Sequence, residues 1–305
     1  MSGLSVHCSL LTLPAETPLP ARLRLIAEAG FDGVQTVPPQ AQGRAGFAEA
    51  LAEAGLEASG CCHLAEDQPA EPMFERAAAA AMTSLNAQVD GYWRDEDWQD
   101  ARVAELLDLS TGYDLPFFLE THRHRLTQDI RRTLALTERH PTLALCGDFS
   151  HYTVTSELRA PWPEEWREAL RTLARRCGEI HARVNDGQRV QDPLPLIGTP
   201  QQQEFLDLWH TAREAWTGPR FLVTTELLPV SIGYAATDLH GRPVGDIWTD
   251  SRSLLAEITD WDRKSARSPS APRAAGTGLT RDDVVAAVKG VSQAAWKERL
   301  ARPRA

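Results

Sequence analysis

Phe117-Phe118-Leu119-Glu120-Thr121-His122-Arg123 is the stretch that decides the fold. Three apolar residues lead directly into a carboxylate, an imidazole and a guanidinium. A short apolar run of about four to six residues is typical of a parallel strand that is buried on both faces. The polar side chains that follow indicate that this strand ends at a wet, charged or metal-binding surface.

A similar pattern, a short strand-like segment that leads into polar residues, occurs three more times downstream, at residues 143–147, 179–180 and 221–225. The residues that follow the four runs are Glu120, Asp148, His181 and Glu226. The steps between them are 28, 33 and 45 residues, about one strand–helix–strand unit each with the last enlarged. Carboxylates and an imidazole that converge from neighbouring strand ends predict one divalent-metal site.

Strands and helices are predicted to alternate eight times along the chain. The predicted strands are residues 4–10, 31–37, 56–63, 84–89, 117–120, 143–148, 179–184 and 221–226. The predicted helices are residues 18–30, 46–54, 72–82, 95–109, 127–139, 163–177, 201–216 and 246–261. Strict alternation predicts a parallel sheet, and eight units in roughly 260 residues predict a closed (β/α)8 TIM barrel. An open doubly wound sheet is the alternative, but no glycine-rich phosphate loop follows the first strand.

The barrel is expected to form a catalytic domain over residues 1–263. Residues 264–279 are rich in Ser, Pro, Ala and Gly, which indicates a linker. Residues 280–305 predict a C-terminal helical extension, because Thr280 can cap a helix with an apolar stripe.

Composition excludes several classes of protein. The formal net charge of −10 opposes binding to nucleic acid, and no apolar run reaches the roughly 18 residues of a membrane span. The first 13 residues lack a basic segment and predict a strand, not a signal peptide. The five cysteines are odd in number and form no C-x-x-C pair, so a reducing cytoplasm is the expected location.

The motifs around the strand ends resemble the xylose-isomerase-like superfamily, which holds sugar isomerases and epimerases together with endonuclease IV-type enzymes. The motifs that carry the resemblance are Glu120-Thr121-His122, Asp148-Phe149-Ser150-His151, His181-Ala182-Arg183 and Glu226. The resemblance covers roughly residues 4–262. The longer motifs E-T-H-R, D-F-S-H-Y and E-L-L-P resemble those of a bacterial group labelled sugar phosphate isomerase/epimerase.

The resemblance implies a metal centre with two catalytic glutamates. In keto-sugar epimerases of the superfamily, the positions of Glu120, Asp148, His181 and Glu226 bind Mn²⁺, Mg²⁺ or Co²⁺, and the two glutamates also shuttle a proton. One divalent ion is therefore expected here; Mn²⁺ (manganese) suits the mixed ligand set best, and Mg²⁺, Co²⁺ and Zn²⁺ remain alternatives. The two glutamates could also be ligands only, with a separate residue as the base.

The chemistry of such a centre predicts a function in carbohydrate metabolism. A divalent ion that chelates a carbonyl and a neighbouring hydroxyl acidifies the carbon that bears the hydroxyl. It also stabilises the enediolate that forms when this carbon loses its proton. A carboxylate on each face of that carbon can remove and return the proton. We therefore expect a metal-dependent sugar isomerase or epimerase that acts on a small polyhydroxylated substrate.

Three other functions remain open. The same enediolate can expel a substituent, which would make the enzyme a dehydratase or lyase. An endonuclease on abasic DNA would need extra zinc-binding histidines and a basic surface, which the net charge opposes. A non-enzymatic binding protein would be indicated by loss of a ligand, but all four ligands are present.

Five residues near the strand ends are predicted to bind substrate. They are His151, Arg183, His122, His63 and Gln191. His151 could instead orient Asp148 or be a satisfied buried histidine, and Arg183 could pair with Glu226. His122 and Arg123 are expected to line one rim, one facing substrate and the other a carboxylate. His63 and Gln191 are placed by position only, and a homodimer is possible because barrels of this group often pair.

Overall fold

The computed structural model describes residues 3–194 and 198–267. These residues form a closed barrel of parallel strands in sequential order, with helices in between. The strands are β1 (Gly3–Ser9), β2 (Gly33–Thr36), β3 (Glu57–Leu64), β4 (Leu85–Val89), β5 (Phe117–Glu120), β6 (Leu145–Gly147), β7 (Cys177–His181) and β8 (Arg220–Thr225). The helices of the described residues are α1 (Leu19–Glu28), α2 (Ala41–Ala54), α3 (Glu71–Ala79), α4 (Glu96–Gly112), α5 (Ile130–Arg139), α6 (Phe149–Thr155), α7 (Glu164–Ala174), α8 (Pro200–Ala215) and α9 (Ile247–Arg267).

Pairing between the first and last strands closes the barrel. β1 and β8 run parallel in a continuous register, from Gly3 opposite Arg220 to Cys8 opposite Thr225. A closed sheet has no unpaired edge strand. The predicted TIM barrel is therefore confirmed, and the alternative of an open doubly wound sheet is wrong.

Successive residues of each strand face opposite sides of the barrel wall. On β8, the Thr225 hydroxyl lies 2.6 Å from the Ser251 hydroxyl on α9, outside the barrel. The Thr224 hydroxyl points inward and donates to Glu179 Oε1 at 3.3 Å. This period of two gives the wall an outer face for packing helices and an inner face that is polar.

The outer face and the helices share the hydrophobic core. Leu23 and Ile26 of α1, Phe74 of α3 and Phe205 of α8 are completely buried in it. Each such side chain contributes about 1.5–3 kcal/mol by leaving water. This shell holds the strands in place, so the inner face can carry polar groups at fixed positions.

β7 starts and ends earlier than predicted. It spans Cys177–His181, whereas the sequence predicted residues 179–184. The register between β6 and β7 shifts between Leu145 and Cys146, so Cys177 pairs with Leu145 and Glu179 with Cys146. His181 is therefore the last residue of its strand, and Arg183 lies beyond it.

α6 is a helix that the sequence did not predict. It begins directly after Asp148, whose side chain caps it by accepting from the Ser150 amide at 3.1 Å. The helix has 7 residues and all of those from Phe149 to Thr153 are buried. A helix this short and this buried has no amphipathic period to reveal it.

Part of the predicted C-terminal organisation lies outside the described residues. α9 continues to Arg267, so the first four residues of the predicted linker 264–279 are helical. The rest of that linker and the predicted helix 280–305 lie beyond the described part of the chain. Among the described residues, every helix is too short or too polar to span a bilayer.

Gly178 allows two aromatic rings to pack over β7, and we expect Gly178→Ala to destabilise the barrel. An added Cβ would lie 2.4 Å from Phe118 and 2.6 Å from Trp216, so the rings must move at a cost of about 1–3 kcal/mol. Gly46→Ala in α2 is the control, because its Cβ would meet no atom within 4 Å. Gly46→Ala should raise the free energy of unfolding by up to about 1 kcal/mol, because alanine has the higher helix propensity. Urea unfolding measures both, and equal midpoints would contradict this packing.

Candidate metal and catalytic centre

The four residues predicted as metal ligands lie together at the C-terminal mouth of the barrel. Glu120 ends β5 and His181 ends β7, while Asp148 and Glu226 directly follow β6 and β8. One potential ligand atom of each lies within 4.8 Å of those of the others. The four side chains are at most 7% exposed, so the group is shielded from bulk water.

The two ring nitrogens of His181 face different surroundings. Nδ1 lies 3.2 Å from Glu226 Oε2 and 3.8 Å from Glu120 Oε2. Nε2 faces the barrel interior, 3.1 Å from Asn86 Nδ2 and 3.6 Å from Glu179 Oε1. Nδ1 is therefore the nitrogen that can ligate an ion, while contacts inside the barrel orient the ring through Nε2.

Glu120 is held on one side and open on the other. Gln88 Nε2 donates to its Oε1 at 3.0 Å, and the Thr127 hydroxyl donates to its main-chain oxygen at 2.6 Å. Its Oε2 is buried and accepts no hydrogen bond from the described residues. This oxygen is left to bind an ion or to carry a proton.

Arg183 provides a buried positive charge within the centre. Its Nη2 contacts Asp148 Oδ2 and lies 2.7 Å from Glu226 Oε2, and its Nε donates to the Ser150 hydroxyl at 3.1 Å. Its Nη1 is buried and has no hydrogen-bond partner among the described residues. Arg183 thus pairs with two of the predicted ligands, and its Nη1 remains able to donate a hydrogen bond to a bound molecule.

The three carboxyl groups are predicted to differ in protonation. Burial raises the pKa of Glu120 to about 8, and the charge of His181 opposes this only in part. Burial alone would also raise the pKa of Glu226, but the charges of His181 and Arg183 bring it below its ordinary value. Burial raises the pKa of Asp148 too, but the charge of Arg183, the neighbouring His151 and His181 and the Ser150 hydrogen bond together bring it below its ordinary value. Near pH 7 the metal-free centre therefore holds a protonated Glu120 beside ionised Glu226 and Asp148.

The donor set fits a divalent cation. Two glutamates, one aspartate and one imidazole are the ligands that Mn²⁺, Mg²⁺, Co²⁺ and Zn²⁺ accept. Glu120 Oε2 and His181 Nδ1 are buried without hydrogen-bond partners among the described residues, and such atoms are costly unless something binds them. An ion held here would share Asp148 and Glu226 with Arg183.

Two neutral imidazoles lie beside the four ligands. The rings of His122 and His151 are 3.7 Å apart. Burial lowers the pKa of His122 to about 4 and that of His151 well below its ordinary value. Both ring nitrogens of His151 are buried without hydrogen-bond partners in the described part of the chain. His151 Nε2 also lies 3.4 Å from Asp148 Oδ2, which fits the alternative that this histidine orients Asp148, and substrate contact by His122 or His151 stays a prediction.

His63 and Gln191 are not members of this group. His63 lies near the end of β3, and its Nε2 is 3.0 Å from Asp90 Oδ1. Gln191 uses both ends of its amide on the backbone of Leu228, accepting from the nitrogen at 2.8 Å and donating to the oxygen at 3.0 Å. Gln191 thus joins the segments that follow β7 and β8; substrate contact by either residue stays a prediction.

Sequence reasoning did not single out Glu179, which lies below the centre inside the barrel. Its Oε1 accepts from Gln35 Nε2 at 2.5 Å, Asn86 Nδ2 at 3.1 Å and the Thr224 hydroxyl at 3.3 Å. One signal was present, because Glu179 precedes His181 by two residues and so shares its face of β7. Its partners come from β2, β4 and β8, which no local pattern links.

Tyr234 was also missed. It lies in the segment after β8, just beyond the short 3₁₀ turn Val230–Ile232. Its hydroxyl is 3.3 Å from His122 Nε2, and its ring lies 4.9 Å from the Arg183 guanidinium carbon. The segment has no periodic pattern, so only the folded chain reveals that this ring covers the centre.

In comparisons with known proteins, this chain is similar to solved structures. No family model matches the chain, and no curated protein matches its sequence. The solved structure of 3-keto-D-glucoside 4-epimerase from E. coli matches with a TM-score of 0.57 and 15% identity, over 84% of this chain and 99% of that one. An AP endonuclease of family 2 from Brucella melitensis matches with a TM-score of 0.55 and 17% identity, over 86% and 99%. A xylose isomerase-like TIM barrel protein from Mycobacterium smegmatis, solved in complex with magnesium, matches with a TM-score of 0.54 and 15% identity, over 84% and 97%. The chain therefore shares the TIM-barrel fold of these proteins.

Replacing Arg183 tests the charge balance of the centre. Arg183→Gln leaves Asp148 and Glu226 buried without their cation, so the free energy of unfolding should fall by about 3–5 kcal/mol in metal-free protein. Added Mn²⁺ should recover part of this loss, because it neutralises the same carboxylates. Urea unfolding with and without Mn²⁺ measures both effects.

Arg175→Gln serves as the matched control for that experiment. Arg175 pairs with Glu168 at 3.2 Å, but both side chains are about half exposed. The change should cost under about 1 kcal/mol and show no response to Mn²⁺. Similar losses in the two variants would mean that the Arg183 pairs contribute no more than a surface ion pair.

Proposed function

We propose that this xylose isomerase-like barrel is a divalent-metal-dependent isomerase or epimerase of a small sugar. The observation that carries the proposal is the pair Glu120 and Glu226, which come from separate strands and differ in protonation within one candidate metal group. Titratable groups whose surroundings drive their pKa values apart are the usual basis of acid and base roles. Manganese is the metal we expect first.

An ion held by Glu120, Asp148, His181 and Glu226 would polarise the substrate carbonyl and stabilise the negative charge of an enediolate. The protein's own part is proton transfer. Glu226 enters as a carboxylate and can accept the proton from the carbon next to the carbonyl. Glu120 is protonated in the metal-free protein, and its Oε2, which has no hydrogen-bond partner among the described residues, is the atom that can either ligate the ion or transfer the second proton.

Other groups at the mouth can orient the substrate. Arg183 Nη1 and the ring nitrogens of His151 have no partners among the described residues and lie beside the ligands. They can bind hydroxyl or carbonyl oxygens and hold the reacting carbon between the two glutamates. Burial of the whole group excludes water and strengthens these hydrogen bonds.

A dehydratase or lyase is the alternative outcome of the same proton abstraction. Both glutamates could also serve as ligands only, with another residue as the base. An endonuclease is disfavoured, because His7 hydrogen-bonds Ser59 inside the barrel and His63 pairs with Asp90, so neither histidine belongs to a candidate metal-ligand group of the described residues. The five cysteines are unpaired, which fits the reducing cytoplasm that we propose as the location. The homodimer stays a prediction.

Hydrogen–deuterium exchange tests the proposed reaction. Keto-sugars incubated with the Mn²⁺-loaded protein in D₂O should gain deuterium at the carbon next to the carbonyl, as measured by NMR. Glu120→Gln and Glu226→Gln should each lower this rate by about 10²–10⁴-fold, because removal of a general acid or base costs that much. Glu164→Gln on exposed α7 is the control.

Two results would count against this proposal. Absence of exchange with every keto-sugar, despite bound Mn²⁺, would contradict the proposed enediolate reaction. Full exchange in both glutamine variants would assign proton transfer to another residue. Exchange accompanied by loss of water from the substrate would instead favour the dehydratase.

A further inference from the structure

A short basic run lies at the mouth of this acidic protein. His122-Arg123-His124-Arg125 directly follows β5, in a chain of formal net charge −10. Arg125 is neutralised, since its Nη1 lies 3.0 Å from Asp90 Oδ1. Arg123 forms no ion pair with any carboxylate of the described residues, although it lies only three residues past Glu120. Its guanidinium is thus a positive charge without a counter-ion at the edge of the centre.

The ring of Tyr234 lies close to both this guanidinium and the buried one. The guanidinium carbon of Arg123 is 5.7 Å from the ring centroid, and that of Arg183 is 4.9 Å from it. The ring of His151 also approaches Tyr234, with centroids 6.4 Å apart. Two cations and an imidazole therefore surround one place at the barrel mouth, next to the predicted metal ligands.

This place has hydrogen-bond donors that lack an acceptor. Arg183 Nη1 is buried without a partner, and Arg183 as a whole is 1% exposed. His151, equally buried, has no hydrogen-bond partner among the described residues at either ring nitrogen, although its Nε2 lies 3.4 Å from Asp148 Oδ2. A buried donor of this kind is satisfied by a ligand, and a guanidinium prefers a carboxylate or a phosphate, which it can bind through two nitrogens.

We propose that Arg123, together with Arg183 and His151, binds an anionic group of the substrate. The substrate would then be an acidic sugar, a polyhydroxylated carbonyl compound with a carboxylate or a phosphate away from its reacting carbon. The inference rests on the proposed function for its reaction, but the anion site itself can be tested without catalysis. Arg123 is the residue that sets the preference for charged over neutral sugars.

The test is isothermal titration calorimetry of the Mn²⁺-supplemented protein with three polyols. D-mannitol, D-mannonate and D-mannitol 1-phosphate differ at one terminal carbon and lack a ketone, so the isomerase reaction cannot proceed. At least one anion should bind about tenfold more tightly than mannitol. Arg123→Gln should weaken binding of that anion by about tenfold, to near the affinity for mannitol, because a charge-assisted hydrogen bond is lost.

Two variants separate binding from mere structure. Arg123→Lys keeps the charge and should retain part of the preference for the anion. Arg125→Gln removes a neighbouring arginine that is already paired with Asp90, and it should bind like the wild type. Raising the salt concentration should lower the affinity for the anion and leave the affinity for mannitol unchanged.

The outcomes distinguish the substrate classes. Preference for mannonate alone indicates a carboxylate substrate, and preference for mannitol 1-phosphate alone indicates a phosphorylated one. Equal or undetectable binding of all three polyols overturns the anion site, as does an equal loss in the Arg123→Gln and Arg125→Gln variants. Arg123-dependent anion binding with no deuterium exchange on any keto-sugar would leave the anion site standing and the proposed function wrong.

Discussion

Competition among three buried carboxyl groups for one guanidinium is the constraint on which the rest of the centre depends. Charges taken out of water must be paired, and Arg183 reaches Asp148 and Glu226 but not Glu120, whose Oε2 has only His181 Nδ1 at 3.8 Å. The pKa of Glu120 therefore rises to about 8 through burial, while the other two carboxyl groups stay acidic. A divalent ion would relieve the same shortage of positive charge. The unequal protonation of the glutamates and the affinity for a cation thus have one physical cause.

The barrel makes this arrangement possible by dividing its wall. Outward side chains pack against helices in a continuous apolar core, and inward side chains form a polar interior. Glu179, with Gln35 and Asn86 as donors, lies under the ring of His181 and fixes it from inside. Because these partners come from different strands, the orientation of the ligands depends on barrel closure. The mouth is then covered by Tyr234, which brings the basic run after β5 into contact with the centre.

Local sequence predicted much of this arrangement. The bounds of β5 agree with the predicted residues 117–120, since an apolar run that ends in Glu120 is a local signal. The candidate ligand group was also predictable, because steps of about one strand–helix–strand unit place residues at equivalent strand ends. The sequence did not predict α6 or the early start of β7, since a short buried helix and a register shift between strands have no periodic pattern. Glu179 and Tyr234 meet the centre through contacts between distant segments, which appear only when the barrel closes.

Anomalous diffraction from crystals soaked in Mn²⁺, recorded at the manganese edge, tests the central claim most directly. The account predicts one strong peak per chain, about 2.0–2.3 Å from donor atoms of Glu120, Asp148, His181 and Glu226. It also predicts that Arg183 then gives up part of its contact with Asp148 and Glu226. A peak elsewhere, or no peak while Arg183 still bridges the two carboxylates, would contradict the claim that these four strand ends form a metal centre.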